Sequence, residues 1–249
     1  MAAITGFHSR RYSVPDARAK IKAVLFNIDN TLFDRRQAQL EIFKIIRSEF
    51  EHIFDGIDND IVAVAFWEAD RLATEAFFAT GSAESIRLDR FKIFLKMLGL
   101  EDEPAEQMSS VYINSLAGIK AEVKSAGLVL NHLIGKYQLG IISNGLTETQ
   151  YHKLDAIGAR NFFDCILISE TVGVQKPDPG IYWQASATLN HRPEECLFVG
   201  NSYNIDILGA IGAGMIACWF NPRGTRPIID SAKPDHEINA LDQLISLLE

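Results

Sequence analysis

The chain has 249 residues, of which 47% are hydrophobic and 22% charged, so it can bury a sizeable core and is neither disordered nor a repetitive polymer. A formal net charge of −8 sets it against a duplex phosphate backbone, which removes nucleic-acid polymers from the expected partners. No apolar run approaches the roughly 18 residues that a bilayer span needs, so no membrane partner is expected.

Residues 1–19 carry Arg10, Arg11 and Arg18 against a lone Asp16, and they read as a flexible leader rather than a presequence. After Lys22, the run Ala23-Val24-Leu25-Phe26 is short, apolar and partly β-branched, and it ends in the polar Asn27-Ile28-Asp29-Asn30-Thr31. That pattern predicts a buried strand delivering polar groups at its carboxyl end. The next strand-like run, Gln138-Leu139-Gly140-Ile141-Ile142, comes only after an interval several times longer than one crossover helix requires. Apolar residues at three and four spacing predict helices over 35–54, 59–80, 85–98, 103–116 and 120–134, with a turn at Gly81-Ser82. A helical cap over 36–119 is therefore expected above one edge of the sheet, and the last helix of the interval should return to the core.

Three further strand runs follow, Cys165-Ile166-Leu167-Ile168, Cys196-Leu197-Phe198-Val199 and Met215-Ile216-Ala217-Cys218-Trp219. Helical patterns over 147–157, 179–189 and 205–212 alternate with them. This alternation predicts right-handed crossovers and a mostly parallel sheet covered on both faces, with ligands bound beyond the carboxyl ends of the strands. Cys165, Cys196 and Cys218 lie inside these runs without C-x-x-C spacing and read as buried thiols of a cytoplasmic protein.

Each polar cluster of interest follows a strand: Asn27-Ile28-Asp29-Asn30-Thr31, Ser143-Asn144-Gly145, Lys176-Pro177-Asp178 and Gly200-Asn201-Ser202-Tyr203-Asn204-Ile205-Asp206. Converging in one crevice, a hydroxyl, an ammonium and several carboxylate-shaped groups suit a phosphate and a divalent metal. Singly, Asn30-Thr31 or Asp206 would be read as helix caps and Lys176-Pro177 as a solvated loop. Their joint placement on successive strand ends is what carries the chemistry.

In order and spacing, the four clusters resemble the four motifs of the haloacid dehalogenase superfamily with a helical cap, over nearly the whole stretch from Lys22 to Glu249. The resemblance implies an α/β Rossmann-like parallel sheet of order 3-2-1-4-5, with core 20–35 and 120–249 and cap 36–119. It implies hydrolysis of a small phosphomonoester through an aspartyl-phosphate, with Mg2+ as cofactor. Position 27 is then the nucleophile and Asp29 the acid and base. Thr31, Ser143, Asn144, Gly145 and Lys176 contact the phosphoryl group, and Asn27, Asp29, Asn201 and Asp206 mark the metal positions. Ile142-Ser143-Asn144-Gly145-Leu146-Thr147 and the later Lys176-Pro177 stretch resemble the branch containing pyrimidine 5′-nucleotidases and sugar-phosphate phosphatases.

Two of the superfamily's carboxylates, at 27 and 201, are amides here. A neutral carboxamide oxygen is a poor nucleophile towards phosphorus, and magnesium prefers anionic oxygen. The resemblance therefore implies a chain that is inactive or strongly impaired, with weakened Mg2+ affinity. The amides also leave two carboxylates against one ammonium, so the site repels an anion less, and binding can outlive turnover. A natural non-catalytic protein that keeps the pocket for ligand binding or regulation would show the same pattern. A 2-haloacid dehalogenase fits less well, because enzymes of that type lack an Asp where Asp29 stands. In the interval, Trp67, Phe77 and Phe78 are read as core, and Arg71, Arg87 and Arg90 as solvated.

Overall fold

The computed structural model describes residues 21–80, 85–227 and 232–249. The expected leader and the Gly81-Ser82 turn fall outside the described residues. Among those described, strands β1 (Ala23–Phe26), β2 (Gln138–Ser143), β3 (Cys165–Ile168), β4 (Cys196–Gly200), β5 (Ile216–Phe220) and β6 (His236–Ile238) form one parallel sheet of order β3-β2-β1-β4-β5-β6. The expected order of the first five is met. The sixth strand is an addition, because the three residues His-Glu-Ile carry too little apolar pattern to be read as a strand and gain order by pairing with β5.

β1 sits in the middle, with Ala23 opposite Gln138 on one side and Cys196 on the other. All four of its residues are buried. Val24 and Phe26 face one core layer, together with Leu139, Ile141, Leu197 and Val199. Ala23 and Leu25 face the other, together with Cys196, Phe198 and Ala217. This period-two division is why the run is apolar throughout. The three cysteines are buried and free, and burial pushes the Cys196 and Cys218 thiols up to about 12.

Between β1 and β2 the chain forms α1 (Arg35–Glu49), α2 (Asn59–Thr80), α3 (Arg90–Met97) and α4 (Ala105–Leu116), with a π-helical turn at Ser85–Asp89 leading into α3. Asp34 caps α1 by accepting the Gln37 N–H at 3.0 Å. The expected helix over 120–134 is shorter, as α5 occupies Ala126–Leu133. The residues before it are extended because they pair with the outgoing segment. The Asp34 N–H donates to Ala121 O at 2.7 Å, the Val123 N–H donates to Leu32 O at 2.9 Å, and Phe33 and Glu122 form an antiparallel bridge. The chain thus leaves for the helical insertion and returns from it at one place.

Four more helices complete the α layers around the strands: α6 (Thr147–Ala156), α7 (Ser169–Val172), α8 (Pro179–Thr188) and α9 (Leu208–Gly212), with α10 (Gln243–Leu248) closing the chain. A π-helical turn at Tyr203–Ile207 precedes α9. α8 and α9 approach closely at Gly209, where an added Cβ would lie 2.6 Å from Tyr182 Oη. That hydroxyl donates to the carbonyls of Ile205 and Asp206 at 3.0 and 3.1 Å, which fixes the loop after β4 against α8.

Candidate active site

Strand ends β1, β2 and β4 and the loop that follows α7 bring together residues from all four polar clusters. Asn27, immediately after β1, is 8% exposed and occupies the centre. Its Oδ1 accepts from Lys176 Nζ at 2.9 Å and, at a long 3.5 Å, from Ser143 Oγ. Its Nδ2 donates to Asp29 O at 2.8 Å, to Asn201 Oδ1 at 3.1 Å and to Thr31 Oγ1 at 3.4 Å. The two amides expected at metal positions are therefore bonded to each other.

Lys176 and Asp206 form an almost completely buried pair at 2.7 Å, with both side chains 2% exposed. The other Asp206 oxygen accepts the N–H groups of Asn201 and Ser202 at 3.1 and 2.9 Å. Gly200 permits this approach, since a Cβ there would lie 2.5 Å from that of Asp206. Asn144 acts through its side chain: Nδ2 donates to Lys176 O at 2.9 Å and Oδ1 accepts the Lys176 N–H at 2.8 Å, which holds the lysine's loop in place. The Gly145 N–H, expected as a phosphate donor, is directed instead to Ser169 Oγ at 3.0 Å.

α6 supplies two further residues, Gln150 and Lys153, that the motifs do not mark. Lys153 Nζ donates to both Asp29 carboxylate oxygens at 2.7 and 2.9 Å. Gln150 Nε2 donates to Asp29 Oδ2 at 3.1 Å, to Ser143 Oγ at 2.7 Å and to Asn144 O at 2.8 Å. Burial alone would raise the pKa of Asp29, but Lys153 and Arg35 outweigh it and hold the carboxyl below its usual range. With Lys153 included, two carboxylates meet two ammonium groups, and the expected single negative charge is offset.

The available signal was Gln150 and Lys153 at i and i+3, followed by Leu154, so that polar residues stand on the buried face of the helix.

Above Asp29, side chains of α1, α2, α4 and α6 enclose a cavity of about 60 Å³, and Arg35, Phe77, Arg87, Arg90 and Tyr112 share its lining. Against the expectation that Arg90 is solvated, it is 5% exposed. It is drawn inside by Asp70, 3.1 Å away, and by the ring of Tyr112, whose centroid is 4.4 Å from the guanidinium carbon. Arg35 reaches the same Asp70 carboxylate at 2.7 Å and Gln39 does so at 2.5 Å. Trp67 packs on the core as expected, and Arg71 pairs with Glu68 and Glu75 on the surface.

The four positions expected to bind a metal do not fit a divalent cation as they stand. Both carboxylate oxygens of Asp206 and of Asp29 are taken by N–H donors. The oxygens of Asn201 and of the Asp29 backbone face an amide N–H2. Among the described residues, no group of three or more His, Cys, Asp or Glu is arranged to hold a metal ion.

A family model described as a haloacid dehalogenase-like hydrolase matches residues 21–214. The chain belongs to this family. Among its relatives, the glyceraldehyde 3-phosphate phosphatase of Methanothermobacter thermautotrophicus is 33% identical over 227 residues, or 89% of this chain and 93% of the relative. The pyrimidine 5′-nucleotidase YjjG of Escherichia coli is 32% identical over 174 residues, or 69% of this chain and 76% of the relative. The crystal structure of the putative HAD-hydrolase YfnB from Bacillus subtilis, bound to magnesium, is similar with a TM-score of 0.78 and 25% identity, covering 92% of this chain and 98% of that one. In this haloacid dehalogenase-like hydrolase, the paired amides of Asn27 and Asn201 stand at the centre of the sheet edge.

Proposed function

We propose that this chain is a phosphatase-type member of the family, built for small phosphomonoesters, in which hydrolysis is silenced or strongly impaired at Asn27. The observation that carries the reading is the position of Asn27. Its amide oxygen lies between Lys176 and Ser143 at the central strand's end, where the family's nucleophile is expected, and that oxygen has neither the charge nor the proton loss that attack on phosphorus requires.

In this reading Ser143, Lys176 and Thr31 face the phosphoryl oxygens, and Asn144 positions Lys176. Asp29, kept ionised by Lys153 and Arg35, stands at the acid-and-base position, and Gln150 donates to both Asp29 and Ser143. Residues 36–119 act as a cap over a core formed by 20–35 and 120–249, and the organic part of the ester points towards the side lined by Arg35, Arg87 and Arg90. Magnesium belongs to the carboxylate form of this site, and its affinity is weakened here. No helix among the described residues is long and apolar enough to cross a membrane, and we place the activity in the cytoplasm. Dehalogenation of a 2-haloacid is disfavoured by Asp29.

The pairing of the two amides favours a second reading, in which the chain is natively a silent ligand-binding or regulatory protein. One experiment separates the two. The double substitution Asn27→Asp with Asn201→Asp, assayed with magnesium on a panel of phosphomonoesters, is expected to exceed the unaltered chain by at least about a thousandfold on some member. Hydrolysis by the unaltered chain at that same rate would overturn the impairment, and a double variant without activity on any ester would leave the binding protein as the better account.

A further inference from the structure

We propose that this chain holds inorganic phosphate or a phosphomonoester without any divalent cation, the Asn27 amide having taken over the cation's place in the structure of the site. The inference rests on the reading of the pocket as a phosphoester site and deepens it.

Three oxygens converge on Asn27 Nδ2: the Asp29 carbonyl at 2.8 Å, Asn201 Oδ1 at 3.1 Å and Thr31 Oγ1 at 3.4 Å. Thr31 Oγ1 also donates to Asn201 Oδ1 at 3.4 Å, and the remaining lone pairs of a cluster of oxygens are stabilised by an electropositive group among them. A cation serves where 27 and 201 are carboxylates. Here the amide of residue 27 donates and the amide of residue 201 accepts, so the cluster is satisfied by its own side chains. The exchange is reciprocal. A carboxylate at 27 would turn an oxygen towards the Asp29 carbonyl, where no proton lies between them, and a second carboxylate at 201 would add like charge.

The cation's other service, charge neutralisation, is also met internally. Lys176 balances Asp206 at 2.7 Å and Lys153 balances Asp29 at 2.7 Å, with Arg35 nearby, so no net negative charge meets an arriving anion. Lys176 directs N–H groups to Asn27 and Asp206, and an ammonium has three, so one remains for a phosphate oxygen. The Ser143 and Thr31 hydroxyls flank the same centre.

The test is calorimetric titration of the unaltered chain and of the double variant N27D/N201D with inorganic phosphate, each in EDTA and in excess magnesium. The unaltered chain should bind phosphate with affinities equal within about twofold in the two buffers, whereas the double variant should bind about tenfold or more weakly in EDTA and recover in magnesium. Loss of binding by the unaltered chain in EDTA, or indifference of the double variant to magnesium, overturns the proposal. If the unaltered chain takes up no phosphate in either buffer, the phosphoester reading falls. The exchange of amide for cation is then decided by thermal unfolding with magnesium alone. A rise in Tm confined to the double variant supports it, and an equal rise in the unaltered chain refutes it.

Discussion

Lys176 and Asp206 illustrate how much of this site is held by two side chains that water scarcely reaches. Each charge is tolerated because the other lies 2.7 Å away, and the carboxylate is further satisfied by two backbone N–H groups. Lys176→Met would leave a buried carboxylate facing an apolar chain, and urea denaturation should report a loss of about 3–5 kcal/mol. These two residues were legible from the sequence, as were Asn27, Ser143 and Asn201, because each belongs to a polar cluster at or beyond the carboxyl end of a plainly apolar strand. The role of Asn144 was legible only in part. Its place in the site followed from the motif, but a side chain that clasps the Lys176 backbone depends on how two loops approach, which spacing does not encode.

At the scale of elements, α6 and the insertion account for what the sequence concealed. A helix that reads Thr-Glu-Thr-Gln-Tyr-His-Lys-Leu-Asp-Ala looks solvated, yet its Gln150 and Lys153 are turned inward to meet Asp29. Periodicity analysis treats polar residues as marking the outer face, so a polar inner face escapes it. Asp70 escaped for the same reason: it lies on the buried face of α2 and joins Arg35 and Gln39 of α1 to Arg90 of α3. Asp70→Ala removes the charge on which two guanidinium groups converge. It should cost about 3 kcal/mol in denaturant unfolding and expose the α1–α3 segment to limited proteolysis before the sheet is cut. β6 went unread because a three-residue strand owes its existence to its neighbour.

Over the whole molecule, acid sensitivity follows from two carboxylates on the cationic side of the cavity, the half-buried Asp29 and the buried Asp70. Burial opposes ionisation of Asp29 and of Asp70, but Lys153, Arg35 and Arg90 more than offset it and hold both below the usual range. Each carboxylate therefore contributes stability that is complete above its unfolded pKa of about 4 and is lost as the pH falls through the lower folded value. Denaturation midpoints should fall as the pH drops below about 4, and Asp70→Asn should flatten that decline. The layered α/β arrangement was readable from alternating runs, and the interval before β2 announced an insertion. The place where the insertion joins the sheet was not readable, since an extended return at 121–123 pairs only with a segment far away in sequence. That junction bears on assembly. Because Leu32 and Asp34 are bonded to Val123 and Ala121, the long excursion between them costs the sheet only the closure of one tight doorway. Once that doorway has formed, β1 meets β2 as though they were near neighbours along the chain, and the entropy that distance would otherwise demand is spent within the excursion itself.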